Sequence, residues 1–268
     1  MQRTAERLFE VEPPVVSRPD GGAFLCGSHQ PHVGGLTAKK NEIKPWQVKS
    51  WVIPEASAAF VANMEEVLDT YEKPYDAAHP VVCLDETPQQ LIGETRTPFT
   101  DSHGVVHQDY EYERHGVADI YVVCEPLAGK RELFVTENPG SKQWAKIVAH
   151  MAENTYPDAA QITLIQDNLS AHKTAALYDI LPPERARNII QRLHVVFTPK
   201  HGSWLNVAEI ELSVLKRVGL TKRVGSREEL VRLVKAYEVA QNEKEKKIDW
   251  QFKTADARIK LKKLYPIV

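Results

Sequence analysis

The chain has 268 residues, 43% of them hydrophobic and 26% charged, with a net charge of −2, a composition expected of a soluble globular protein with one sizeable core. No apolar run approaches the roughly 20 residues that a membrane-crossing helix needs, and the charged start MQRTAERLFEVEPP lacks the apolar stretch of a secretory signal. Three scattered cysteines, Cys26, Cys83 and Cys124, form neither a disulfide framework nor a zinc ribbon, so the expected compartment is the reducing cytoplasm.

Residues 1–43 are rich in Gly, Pro, Ser and His and keep neither a helical nor a strand period; they read as an irregular segment. A short helix is expected from Thr37 to Glu42, ahead of Pro45. Residues 44–80 read as a linker helix. Within them PEASAAFVANMEEVLDTYEK places Phe60, Met64, Val67, Leu68 and Tyr71 at helical spacing, and Pro54 and Glu55 suit its first turn.

The pattern then changes to short apolar runs. Val81 to Leu84 predicts a buried strand, with Leu91 to Thr95 as its hairpin partner. Asp119 to Cys124 and Glu132 to Thr136 predict two more strands, split by the turn residues of PLAGK. Ser141 to Asn154 predicts a helix, Gln161 to Ile165 a buried strand, and Ala171 to Tyr178 and Pro183 to Leu193 helical pieces. His194 to Phe197 reads as a strand, and Leu205 to Val218 and Arg227 to Asn242 as helices. Strands and helices mixed in this order imply an α/β fold, a mixed sheet with helices on its faces. Its core spans residues 81–220 and is followed by a basic helical segment, 221–268. From Arg192 to the C-terminus 17 Lys and Arg stand against 9 Asp and Glu. Such an excess either tracks a phosphate backbone or solvates amphipathic helices.

Three acids sit in distinctive contexts: Asp85 in VVCLDETPQQ, Asp167 in ITLIQDNLSAH and Glu209 in PKHGSWLNVAEIEL. The first two close apolar runs, and the third lies just inside a predicted helix. If the two strands are neighbours, their ends lie about 5 Å apart, and a helix crossing that edge can add Glu209. Three such carboxylates repel one another, and divalent metal ions for phosphoryl chemistry relieve the repulsion. Each acid alone has a plainer reading, as a helix cap or turn former for Asp85 and Asp167 and as a solvated helix face for Glu209. Glu211, two residues on, faces another side of the helix. A glycosidase with paired carboxylates would need an aromatic-lined sugar cleft, and no tryptophan lies near Asp85 or Asp167 in the sequence.

CLDET, LIQDNLSAH and TPKHGSWLNVAEIELSVLK together resemble the three motifs of the DDE transposases, in particular the bacterial insertion-sequence branch of the Tc/mariner superfamily. The most specific parts are Leu205, Asn206 and Glu209 in one motif and Asp167, Asn168 and His172 in the other. The resemblance runs from about Lys44 to the C-terminus. It implies a ribonuclease-H-like core and Mg²⁺ as cofactor, with Mn²⁺ able to substitute. It further implies cleavage and strand transfer of double-stranded transposon DNA ends by a homodimer in the bacterial cytoplasm, at the nucleoid when bound to DNA. The matching catalytic and metal-binding positions are Asp85, Asp167 and Glu209. Residues 1–43 do not read as the helix-turn-helix region such proteins carry ahead of the core. The expectation is a remnant of one, in an N-terminally truncated or rearranged copy. The alternative function is a catalytically silent DNA-binding remnant of a decayed element.

Several neighbours qualify as supporting residues. Asn168 suits a hydrogen bond to Asp167, a phosphate contact or a turn. His172 suits the orientation of a carboxylate, a scissile-phosphate contact, a helix cap or a polar core contact. Asn206 fits a helix cap or a partner of the acids. Lys200, with His201, precedes the Glu209 helix, and Lys216, Arg217, Lys222 and Arg223 form the densest basic patch; these lysines and arginines are the candidate DNA contacts. Trp46 and Trp51, beside Lys44 and Lys49, suit stacking on bases or anchoring of the linker helix.

Overall fold

The computed structural model describes residues 57–266. The expected short helix at Thr37, the first turn at Pro54 and Glu55, and Trp46 and Trp51 lie outside them. Helix α1 (Ala58–Tyr71) starts where the Ser57 hydroxyl accepts from the Phe60 amide. Strands β1 (Val81–Glu94), β2 (Phe99–Thr100), β3 (Val106–His107), β4 (Tyr112–Glu125) and β5 (Lys130–Thr136) follow. Helix α2 (Ser141–His150), β6 (Ile162–Gln166), α3 (Pro183–Arg192), β7 (Leu193–Phe197) and α4 (Val207–Val214) complete the sheet and its cover, and α5 (Arg227–Asn242) and α6 (Thr254–Lys260) close the chain.

The main sheet has the order β5-β4-β1-β6-β7. β1, β4 and β5 run antiparallel, and β1, β6 and β7 run parallel. Both faces are covered, which is why the central strands read as continuous apolar runs. On one face Cys83, Ile120, Val122, Ile165 and Val196 pack under α1, α4 and α5. On the other, Val82, Leu84, Tyr121, Val123 and Leu164 pack under α2 and α3. This is the expected mixed sheet flanked by helices. No helix among the described residues is long and apolar enough to cross a membrane.

One pairing differs from expectation. Leu91 to Thr95 does not fold back on Val81 to Leu84; through Glu94 it continues the same 14-residue strand, whose antiparallel partner is β4. A register shift between Gln90 and Ile92 marks a bulge in the pairing. The Ala171–Tyr178 piece is only a 3₁₀ stretch, Thr174–Asp179. The helices expected to reach Asn154 and Val218 end in π-helical turns, Met151–Thr155 and Leu215–Gly219. At the first turn the Arg192 guanidinium donates to the carbonyls of Ala152, Tyr156, Pro157 and Ala159, meeting acceptors that a helix end leaves free.

The edge strand β5 is closed by side chains rather than by another strand. Glu238 of α5 accepts from the Leu133 amide at 2.8 Å, and Asn242 accepts from the Arg131 amide at 3.0 Å while donating to its carbonyl at 2.8 Å. The exposed backbone of an edge is thereby satisfied. On the α1 face, the buried Tyr71 hydroxyl donates to the Leu205 carbonyl at 2.9 Å and accepts from the Val207 amide at 3.3 Å. That contact fixes where α4 begins. Tyr71→Phe leaves both backbone groups unpaired in the core, and a loss of about 2 kcal/mol is expected. Chemical denaturation checks it, with Tyr178→Phe, at an exposed position, expected to match the wild type.

Candidate active site

The pairing of β1 with β6 sets the site. Val81, Val82 and Cys83 lie opposite Thr163, Leu164 and Ile165. Continued two residues, the same register would bring Asp85 level with Asp167, although the pairing itself stops at Cys83 and Ile165. Asp85 does not end its strand; it stands where β1 loses β6 as a neighbour and continues along β4 alone. Asp167 is the first residue beyond β6.

Strand alternation sorts the neighbours. Asp85 shares its face with Cys83 and pairs with Val122, so it looks toward α4. Glu86 pairs with Tyr121 and belongs to the opposite face. On the α4 side Asn206 is the helix cap: its side-chain oxygen accepts from the Ala208 amide at 3.1 Å. Its amide nitrogen donates to the Leu84 carbonyl at 3.0 Å and reaches Asp85 Oδ2 at 3.4 Å. One side chain thus caps α4 and ties it to the strand carrying Asp85. Glu209, in the first turn of that helix, is half-buried.

Burial raises the Asp85 carboxyl group to about 7, against the Glu86 amide that donates to Oδ1 at 2.8 Å, and the negative charges of Glu209, Glu86 and Asp167 add to the rise. The acids therefore feel one another across three segments of chain. Glu211 is elsewhere, as its spacing implied. It is buried against Arg131 at 3.1 Å and the Tyr237 hydroxyl at 3.3 Å.

His172 is buried between two of the acids. Its Nδ1 lies 2.6 Å from Asp167 Oδ1 and its Nε2 3.2 Å from Glu86 Oε2. Burial pulls its pKa down, but the hydrogen bond with Asp167 and the attraction of Glu86 outweigh that and raise it to about 9. At neutral pH the ring is then an imidazolium bridging two carboxylates. It stacks on Trp144 of α2 at 6.0 Å, and Gln166 braces the loop by donating to the His172 carbonyl at 3.0 Å and accepting from the Trp144 indole at 2.9 Å. Trp144 is fully buried and offers no platform for a ligand. Asn168 is exposed beside Asp167.

Glu86, Gln166 and Trp144 are the site residues that sequence reasoning missed. Gln166 left a signal, a polar residue closing the buried run ITLIQ. Glu86 left only its parity, one step out of phase with Asp85.

Among the basic candidates, Lys216 donates to Thr87 Oγ1 at 2.6 Å, two residues along β1 from Asp85 and on the same face. Lys200, Arg217 and Lys222 are exposed. Arg223 is engaged within the protein, pairing with Glu94 at 2.8 Å, donating to the Glu111 carbonyl and lying over the Tyr112 ring.

Among the described residues no three His, Cys, Asp or Glu side chains converge tightly enough to enclose a metal ion in this conformation. The donor set nevertheless fits a hard divalent cation. It offers carboxylate oxygens only, and one carboxyl group is pushed toward protonation by burial and, beyond that, by its neighbours' charge.

Comparison with known proteins gives this geometry a family. Residues 80–231, more than half of the chain, match the family model described as DDE superfamily endonuclease. No curated protein matches the sequence. The fold is similar to that of the Mos1 mariner transposase in its paired-end complex with Mg, at 13% identity and a TM-score of 0.51, covering 98% of this chain and 87% of that one. The Mos1 paired-end complex with Mn gives 15% identity and a TM-score of 0.50 over 88% and 80%. The Mos1 strand transfer complex gives 15% and 0.50 over 77% and 62%, so the chain spans less than two thirds of that relative. At such identities the likeness speaks for the fold. The family match covers the strands of Asp85 and Asp167 and the helix of Glu209, and the chain belongs to the DDE superfamily of endonucleases.

Proposed function

We propose that the protein is a DNA transposase of the Tc/mariner type, from the bacterial insertion-sequence branch. It cleaves phosphodiester bonds at the ends of a mobile element and joins the freed 3′-hydroxyl to target DNA. The observation that carries this reading is that Asp85 and Asp167 each follow, by two residues, the last pair of neighbouring parallel strands, with Glu209 close enough to add to the rise in the Asp85 pKa. The partners under this reading are double-stranded DNA at the element ends and target, and a second copy of the chain; the compartment is the bacterial cytoplasm. The acids and their tethers are all in place, which does not favour a silent remnant.

Asp85, Asp167 and Glu209 would hold Mg²⁺, or Mn²⁺ in its place. When bound, such ions activate a water or hydroxyl nucleophile and stabilise charge on the phosphodiester. The chain's own residues prepare the carboxylates. Asn206 fixes Asp85 from one side. His172 holds one oxygen of Asp167 and leaves the other available. The orientation of both acids is therefore set before a ligand arrives, and catalysis rests mainly on positioning and charge. Lys216, tethered to Thr87, stands where a DNA phosphate beside the acids would meet it.

Nicking of supercoiled plasmid in Mg²⁺ or Mn²⁺ tests the assignment. Asp85→Asn, Asp167→Asn and Glu209→Gln are each expected to lose at least about 100-fold in rate; activity within a few-fold of wild type in any of them contradicts the site. A second expectation concerns the protein in EDTA. Asp85 titrates near 7 in the fold and near 3.8 when unfolded. The native state therefore keeps a proton that the unfolded chain gives up. The group's destabilisation grows as pH rises from about 4 to 7 and is complete above 7. Asp85→Asn should be more stable than wild type at pH 8 by roughly 1–3 kcal/mol, shrinking toward zero near pH 4, and Mg²⁺ should stabilise the wild type but not the variant. Thermal melts read both; a gap that does not change with pH refutes the electrostatic account.

A further inference from the structure

Thr136 ends β5 as a residue only 6% exposed, its buried hydroxyl without a hydrogen-bond partner. Buried polar groups are rarely left so. Thr136 lines an open cleft of about 580 Å³ together with the first turn of α2 and Arg227. A second donor in that lining is also orphaned: the Arg227 Nε is buried and unpartnered.

The start of α2 forms another wall. Its cap is Gly140, at φ 135 and ψ 178, a conformation open essentially to glycine. Gly140 supplies no capping side chain. The amides of Ser141 and Lys142 have no carbonyl one turn back to meet, and the positive end of the helix opens on the cleft. Lys142 and Lys146, one turn apart, are exposed at its margin. The one carboxylate in the lining, Glu137, is held by Arg227 Nη1 at 2.5 Å. Lys142, Lys146 and Arg227 against Glu137 leave the cleft positive.

We propose that this cleft is a phosphate-binding site that takes a backbone phosphodiester of the DNA away from the scissile bond. Thr136 pairs with Asp119, and Asp119 pairs with Pro88, three residues beyond Asp85 on β1. Two strand spacings across and three residues along put the cleft roughly 14 Å from the acids, about four steps of duplex rise at ~3.4 Å each. That separation lies in the plane of the sheet; Asp85 is on its α4 face and Thr136 on its α2 face, so DNA reaching both passes the end of β5. Anion binding follows from the orphaned donors and charge alone; DNA as the source of the phosphate rests on the proposed function.

The test is run in EDTA, where no cleavage interferes. Binding of a fluorescein-labelled DNA duplex is followed by anisotropy over a series of KCl concentrations, with inorganic phosphate as competitor. Lys142→Gln/Lys146→Gln is expected to weaken DNA binding about tenfold and to lower the salt slope by roughly one to two. Thr136→Val should weaken it about threefold with the slope unchanged, since a neutral hydroxyl releases no counterion. Inorganic phosphate should compete for DNA with the wild type and lose that effect in the double variant. Lys73→Gln/Lys130→Gln, at exposed positions outside the basic C-terminal segment, serves as the charge-matched control. Equal DNA binding by the double variant and this control overturns the proposal, as does a wild type that binds no DNA. Phosphate binding that depends on Lys142 and Lys146 while DNA binding does not would assign the cleft to a small phosphate ligand and also overturn it. Expected DNA binding without any metal-dependent cleavage would count against the transposase reading and leave the cleft assignment standing.

Discussion

Carboxylates that repel one another have to be held together by something stronger than their repulsion, and here that is the parallel pairing of β1 with β6. The register of these two buried strands directs Asp85 and Asp167, each two residues past the last pair, toward the same end of the sheet. Burial raises the pKa of Asp85, and the charges of Glu209, Glu86 and Asp167 add to that rise. The compensations lie close by: an amide from Asn206, an imidazolium from His172, and the start of α4 pinned by Tyr71. Removing the pairing would remove the reason for each of them.

The pleat of β1 divides the labour. Asp85 and Thr87 face α4, where Glu209 and Lys216 approach from one continuous helical segment. Glu86 faces α2, where it meets His172 and, through that ring, Trp144. The acids are therefore braced from both layers of the sandwich, and the brace on the α2 side continues to the first turn of that helix and to the cleft beside Thr136. The three acids and the inferred phosphate site share one scaffold.

Much of this was legible in the sequence because burial on both sheet faces turns strands into plain apolar runs. Val81–Leu84, Asp119–Cys124 and Gln161–Ile165 were visible for that reason, and the Leu-Asn-x-x-Glu spacing carried both the cap of α4 and the position of Glu209. The second half of β1 was not legible. DETPQQ has no apolar period and contains Pro88, and its pairing with β4 is a long-range fact that local pattern does not encode. The π-helical turns were hidden for a similar reason, since a guanidinium from α3 stabilises the first of them. His172 was singled out from its motif, but its partnership with Glu86 spans the sheet and leaves no trace in spacing.

The central claim is that Asp85, Asp167 and Glu209 form one cation site. Anomalous diffraction from crystals grown with Mn²⁺ measures this most directly. The account predicts a manganese peak within about 2.2 Å of carboxylate oxygens from Asp85 and at least one of Asp167 and Glu209. Ordered manganese found only elsewhere, with the three carboxylates bare at millimolar Mn²⁺, would contradict it.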